Sequence, residues 1–197
     1  MNFIYQNEQS LCPELCKQII DMYEIEENRY DGLTLGGVEK TIKDTTDFII
    51  PKQNEKWCKI EKILYEELHK NVLIYLKQHN SKNYTEEFNH GHDSSLLSHS
   101  HLEANYFMIQ KYDKNKGKYI YHDDFHCVEN KYRAITFLWY LNDIHEGGET
   151  EFWDNYKIKP TCGKLILFPS FWTYPHRGLM PISDNKYIIT NWLYTNL

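Results

Sequence analysis

Tyr121-His122-Asp123-Asp124-Phe125 and, 52 residues beyond Asp124, Pro175-His176-Arg177-Gly178 decide how this chain is read. Residues two apart on a strand point to the same face, so His122 and Asp124 can converge on one point. A second histidine far along the chain must arrive on another strand, which the long gap permits. Two imidazoles and one carboxylate supply three ligands to one face of a metal and leave octahedral positions open. That set suits non-haem Fe(II) oxygen chemistry. His126, two residues past Asp124, makes an Asp124/His126 pair the competing reading of the same run.

The flanks read as strands. Tyr106, Met108, Gln110 and Tyr112 alternate with Phe107, Ile109 and Lys111, residues 113–117 form a turn, and residues 118–124 carry the first two ligands. Residues 133–141 are apolar on both faces, which places that strand inside a sheet that is itself covered. Gly147-Gly148 separates it from a strand over 149–153, and strands over 164–168 and 186–194 bring the count to at least six. Many short strands with regular turn signals argue for a barrel or jelly roll. The cover comes from two helices. One spans 11–23, with Leu11, Leu15, Ile19 and Met22 at helical spacing, Ser10 as N-cap and Pro13 in the first turn. The other spans 57–76 and stacks Trp57, Ile60, Leu64, Leu68, Val72 and Tyr75 on one stripe. Between them lie a turn-rich connection over 30–38 and a short polar strand around 40–48.

Length and charge narrow the class. A chain of 197 residues suits one domain with a substantial core. A net charge of −6 and a pI near 5.9 argue against a nucleic-acid backbone as partner, which needs clustered Lys and Arg. Aromatic residues, 15% of the chain with Tyr the commonest, fit a strand-rich core. Five scattered cysteines read as reduced, small buried thiols, Cys12 and Cys16 sharing one helix face. No basic region precedes an apolar run at the start, and no window reaches the apolar length of a membrane span. The expected setting is the cytoplasm, or a host's cytoplasm if the abundance of Lys, Asn, Ile and Tyr reflects an AT-rich viral genome. His90, His92, His99 and His101 match no closed zinc pattern, and their polar segment is expected to act as a lid near the site.

The order Tyr112, Gly117-Lys118-Tyr119, His122-Asp123-Asp124, Tyr140-Leu141-Asn142-Asp143, Glu146-Gly147-Gly148-Glu149-Thr150-Glu151-Phe152, Gly163 to Pro169, His176 and Lys186 resembles the Fe(II)/2-oxoglutarate-dependent dioxygenases. Within them it is most similar to the prolyl 4-hydroxylase branch, closely over 104–197. The resemblance implies a mainly β fold with flanking helices (α+β) around a double-stranded β-helix core of jelly-roll, cupin-like type. One domain then covers 1–197, with helical support and lid in 1–101 and the core in 102–197. It also puts the metal motif on His122, Asp124 and His176, favouring His122 over His126, and the 2-oxoglutarate carboxylate on Lys186, ten positions after the distal histidine. Lysine binds that group as a point charge. Tyr112 and Tyr140 match positions whose hydroxyls help hold the co-substrate. Thr190 and Trp192 share the strand face of Lys186 and are expected to line the same pocket. Arg177 is the alternative anion contact, and Trp172 and Tyr174 the candidate channel aromatics.

What the resemblance implies is oxidative decarboxylation of 2-oxoglutarate to succinate and CO2, with Fe(II) and O2, and hydroxylation of a peptide or protein, foremost at proline. Three other readings stand beside it: hydroxylation of a free amino acid or other small metabolite, nucleic-acid demethylation, and a catalytically silent jelly-roll binding module. The sequence leaves the oligomeric state open.

Overall fold

The structure, a computed structural model, describes residues 3–79, 102–128 and 130–196. Two antiparallel sheets face each other. The larger runs Tyr5–Asn7, Leu165–Pro169, Lys131–Tyr140, Lys186–Asn196, Met108–Tyr112, Thr46–Ile49 and Tyr30–Asp31 in spatial order. Leu102–Ala104 joins it beside Lys186–Asn196, and Cys127–Val128 beside Lys131–Tyr140. The smaller runs Tyr156–Ile158, Thr150–Phe152, His176–Gly178, Lys118–His122 and Lys43–Asp44. A fold of this kind, mainly β with helices on one face, is the jelly roll the strand pattern predicts.

Side-chain alternation decides what each strand buries. On Lys131–Tyr140, Ile135, Phe137 and Trp139 enter a core shared with two helices, whereas Leu138 and Tyr140 enter a second core between the sheets. Lys186–Asn196 splits the same way, with Ile189 and Leu193 toward the helices and Ile188 toward the small sheet. Helix α1 (Pro13–Glu24) contributes Cys16, Ile19 and Tyr23, and helix α2 (Cys58–His79) contributes Ile60, Leu64, Leu68 and Val72. Burying one such aliphatic side chain is worth about 1.5–3 kcal/mol. The helices are therefore what lets the central strands be apolar on both faces, and the opposite face is left free to build a site.

Three local expectations are corrected. Ser10 does not cap α1. The N-cap is Cys12, without a side-chain cap bond, and Pro13 opens the helix. The Ser10 hydroxyl is instead buried and accepts from Trp139 Nε1 at 3.0 Å and from Asn71 Nδ2 at 3.3 Å, joining α2 to the sheet. The strand expected over 40–48 is two strands. Lys43–Asp44 pairs with Lys118–His122 in the small sheet and Thr46–Ile49 with Met108–Tyr112 in the large one, so the chain changes sheet at Thr45. Within the turn-rich connection, Leu33–Thr34 and Gly37–Val38 pair as a hairpin. The five cysteines are unpaired. Among the described residues no helix is long and apolar enough to cross a membrane. The segment with His90, His92, His99 and His101 lies outside the described residues.

Candidate active site

His122 ends one strand of the small sheet, His176 begins the next, and the two are cross-strand partners in register. Directly opposed residues of an antiparallel pair bring their side chains into contact, and the rings lie 4.3 Å apart between centroids. Asp124 follows just beyond the strand end. Its carboxylate stands 3.8 Å from His122 Nε2 and 3.6 Å from His176 Nε2. Ligand atoms of all three residues lie within 4.8 Å of one another.

Each ring is oriented by a backbone carbonyl two residues earlier. His122 Nδ1 meets Ile120 O at 2.8 Å and His176 Nδ1 meets Tyr174 O at 3.1 Å. A carbonyl accepts only, so the ring proton belongs on Nδ1 and the Nε2 lone pairs face Asp124. Burial, then neighbouring His176, pushes the His122 imidazole down to about 3, which keeps it in the neutral form a metal requires. Burial works to raise the Asp124 carboxyl, but the two imidazoles and then Thr136 outweigh it and hold it below its ordinary value. Thr136 Oγ1 donates to Asp124 Oδ2 at 2.7 Å, with Ser170 Oγ a further 2.9 Å beyond. Two imidazoles with Nε2 turned inward and one oriented carboxylate fit a divalent metal of the Fe(II) type. His126, outside this cluster, keeps its carbonyl on Arg133 N.

The three residues open on a cavity of about 630 Å³, on whose wall Lys186 lies. Lys186 is 1% exposed, opposes Tyr112 across the strands and donates to Gly148 O at 2.9 Å. Its ammonium sits 3.9 Å from the Tyr112 ring centroid. Burial pushes it down to about 7, with Glu149 opposing. A buried cation with one carbonyl and one ring face for company fits an incoming carboxylate. Tyr112 lines the same cavity, its hydroxyl donating to Gln110 Oε1 at 3.3 Å. Thr190 and Trp192 also line it, two and three strand repeats beyond Lys186, as the alternation predicts.

Tyr140 is placed differently. It is fully buried between the sheets and its hydroxyl donates to Thr150 Oγ1 at 2.7 Å, so that Thr150 forms the wall in its stead. Arg177 is paired with Glu151 and lies over the Tyr121 ring, and it is not itself a lining residue of the cavity. Trp172 is 72% exposed, and Tyr174 packs in the core between the sheets.

Residues that the motifs do not mark complete the site. Arg133 reaches the cavity because the register shifts between Arg133 and Ile135, opposing Arg133 to Tyr194 on the lumen face. A bulge re-aims a side chain in this way. Its guanidinium lies 3.3 Å over the Trp192 ring, and its Nε and the Trp192 indole N–H are buried without a hydrogen-bond partner. The indole still acts on Asp124 as a favourable dipole, although it closes no well-formed bond. Tyr119 stacks on the His122 ring at 3.5 Å and 15°. Lys43 and Asp47 form a buried ion pair of 2.6 Å on the cavity wall.

Residues 107–194 match the model of the 2OG-Fe(II) oxygenase superfamily. A probable prolyl 4-hydroxylase of Arabidopsis thaliana is 30% identical over 132 residues, covering 53% of this chain and 43% of the plant protein. The chain thus spans less than half of that relative. A prolyl-4-hydroxylase of Pseudomonas putida superposes with a TM-score of 0.66 at 17% identity, over 100% of this chain and 94% of that one. A Trichoplax adhaerens prolyl hydroxylase bound to a hypoxia inducible factor peptide gives 0.69 at 20%, over 100% and 84%. The viral collagen prolyl hydroxylase of Paramecium Bursaria Chlorella virus-1 gives 0.61 at 18%, over 98% and 97%.

Proposed function

We propose that this chain, whose residues 107–194 match the 2OG-Fe(II) oxygenase superfamily, belongs to that superfamily and hydroxylates a peptide or protein residue, with proline as the target. The observation that carries the reading is the union, in one cavity, of an oriented His122–Asp124–His176 cluster and the buried cation Lys186. When bound there, Fe(II) supplies O2 activation coupled to decarboxylation of 2-oxoglutarate, giving succinate, CO2 and a hydroxylated C–H position.

The chain's own residues do the rest. His122, Asp124 and His176 hold the metal, Thr136 fixes the carboxylate, and the two strand carbonyls fix the imidazole tautomers. Lys186 and Tyr112 take the far carboxylate of 2-oxoglutarate, oriented by the strand pairing that opposes them. Arg133, with a buried and unpaired N–H on the lumen side, offers a donor to an oxygen of the substrate. The apolar walls exclude water while the reaction proceeds. Unpaired thiols support a reducing, cytoplasmic setting. The test is incubation of the iron-loaded protein with 2-oxoglutarate and a panel of prolyl peptides and free amino acids. A gain of about 16 Da, one oxygen atom, on peptides alone is the expected outcome. Transfer to free proline alone overturns the peptide reading.

A further inference from the structure

We infer that the mouth of this cavity is an aliphatic docking surface that takes an extended peptide with apolar side chains flanking the target residue. The inference rests on the peptide hydroxylase reading above. Of the large apolar side chains that stay exposed among the described residues, Leu33, Leu35, Ile49, Ile120 and Phe125 all line this one cavity. Leu35 is 82% and Leu33 54% exposed. These five come from four separate segments: the Leu33–Thr34/Gly37–Val38 hairpin, the end of Thr46–Ile49, the middle of Lys118–His122, and the turn after Asp124. The other exposed large apolar side chains among the described residues lie elsewhere on the surface, where scattered ones are ordinary, but five gathered on the wall of one reactive cavity mark an interaction site.

The hairpin is a fixed wall. Lys43 Nζ donates to Leu33 O at 3.4 Å and to Asp47 Oδ2 at 2.6 Å, and Thr45 Oγ1 donates to Asp47 Oδ1 at 2.7 Å. The buried ion pair thereby ties the hairpin base to the strand that carries Ile49. At the hairpin tip, Thr34 Oγ1 donates to Gly37 O at 2.9 Å, and Gly37 takes a φ of 95°, open to glycine. Phe125 extends the rim outward by stacking on Phe171 at 5.6 Å.

Charge on the cavity wall supports the same occupant. Lys43 and Asp47 neutralise each other, Asp124 belongs to the metal cluster, and Lys186 faces the co-substrate end. Only Asp123 and Arg133 remain as charged lining residues among those described. A charged peptide flank thus finds aliphatic wall where it needs a counter-charge, while a leucine or isoleucine flank loses water-exposed surface on both sides.

The experiment compares Leu-Pro-Leu, Gly-Pro-Gly, Asp-Pro-Asp and Lys-Pro-Lys centred peptides, by kcat/KM and by anaerobic binding to the Fe(II)- and 2-oxoglutarate-loaded protein. Expected is a preference for the leucine peptide of about tenfold or more, the worth of one buried aliphatic side chain. Leu35→Asp, at an exposed position, should erase the preference and shift it toward the lysine peptide. Equal kcat/KM for leucine and glycine peptides, or a preference unmoved in Leu35→Asp, overturns the inference and leaves the hydroxylase reading standing. Binding with a leucine preference but no hydroxylation at proline overturns the proline assignment and supports the docking surface. Absence of leucine-selective binding overturns the inference outright.

Discussion

Replacing Lys186 by methionine should make the unliganded protein more stable and its co-substrate site useless. Lys186 is 1% exposed, and burial lowers it from an ordinary 10.5 to about 7. The unfolded chain keeps its proton up to the ordinary value, so between pH 7 and 10.5 the unfolded state binds more protons than the native one. Stability then rises with pH across that window. At neutral pH the burial costs the fold as much as roughly 4 kcal/mol, taking about 1.36 kcal/mol per unit. Methionine has a similar length and no charge. It leaves the Gly148 carbonyl without its donor, which returns about 1–3 kcal/mol of the gain. The net gain is about 1–3 kcal/mol, or roughly 3–10 °C in Tm for a domain of this size. Affinity for 2-oxoglutarate should fall by about 30-fold to several thousand-fold, as one charge of a buried pair is lost. Thermal unfolding from pH 6 to 10, with and without 2-oxoglutarate, reads both effects. The variant's advantage should be largest at or below pH 7, shrink as pH rises, and turn into a deficit by about pH 10, where only the lost bond to Gly148 O remains. A variant no more stable than the wild type at pH 7, with an unchanged 2-oxoglutarate requirement, refutes the reasoning.

The other expectations are simpler. His122→Ala, Asp124→Ala and His176→Ala should each abolish turnover and weaken Mn(II) binding by about 100-fold or more, whereas His126→Ala should leave it within about twofold; titration followed by electron paramagnetic resonance measures this. Thr136→Val removes the donor to Asp124 and should weaken metal binding by about 10- to 100-fold, with Thr136→Ser restoring most of it. Ser10→Ala strands the Trp139 indole N–H in the core and should cost about 1–3 kcal/mol in urea unfolding, with activity per folded molecule unchanged. Binding of 2-oxoglutarate should weaken above pH 7, because the site must take up a proton on Lys186 to receive a dianion; calorimetry in two buffers of different ionisation heat detects that proton.

Much of this was legible because strand geometry is periodic. The even-numbered run Lys186, Thr190, Trp192 converts directly into one face of a strand; the strand expected over 118–124 stops at His122, and Asp124 reaches the cluster from just past its end. The doubly apolar run over 133–141 revealed a covered sheet for the same reason. Departures from periodicity hid the rest. Arg133 reaches the lumen only through the bulge beside it, which no alternation pattern displays. The sheet change at Thr45 leaves strands of two and four residues, too short to show a period. Ser10 has the look of a cap, yet tertiary partners from α2 and the central strand claim its hydroxyl. Tyr140 stands on the correct face, but at the end of the strand where that face is already packed. Thr136 and Ser170 carry no motif, because their part is defined by the position of Asp124 in space.

Hydroxylation of a prolyl peptide at this site is tested most directly by a single turnover under ¹⁸O2, with Fe(II), 2-oxoglutarate and a leucine-flanked prolyl peptide, read by intact mass and fragmentation. One labelled oxygen should appear on the proline, a gain of about 18 Da, matched by one labelled oxygen in succinate. A peptide of unchanged mass while 2-oxoglutarate is consumed, or one whose added oxygen comes from water, contradicts it.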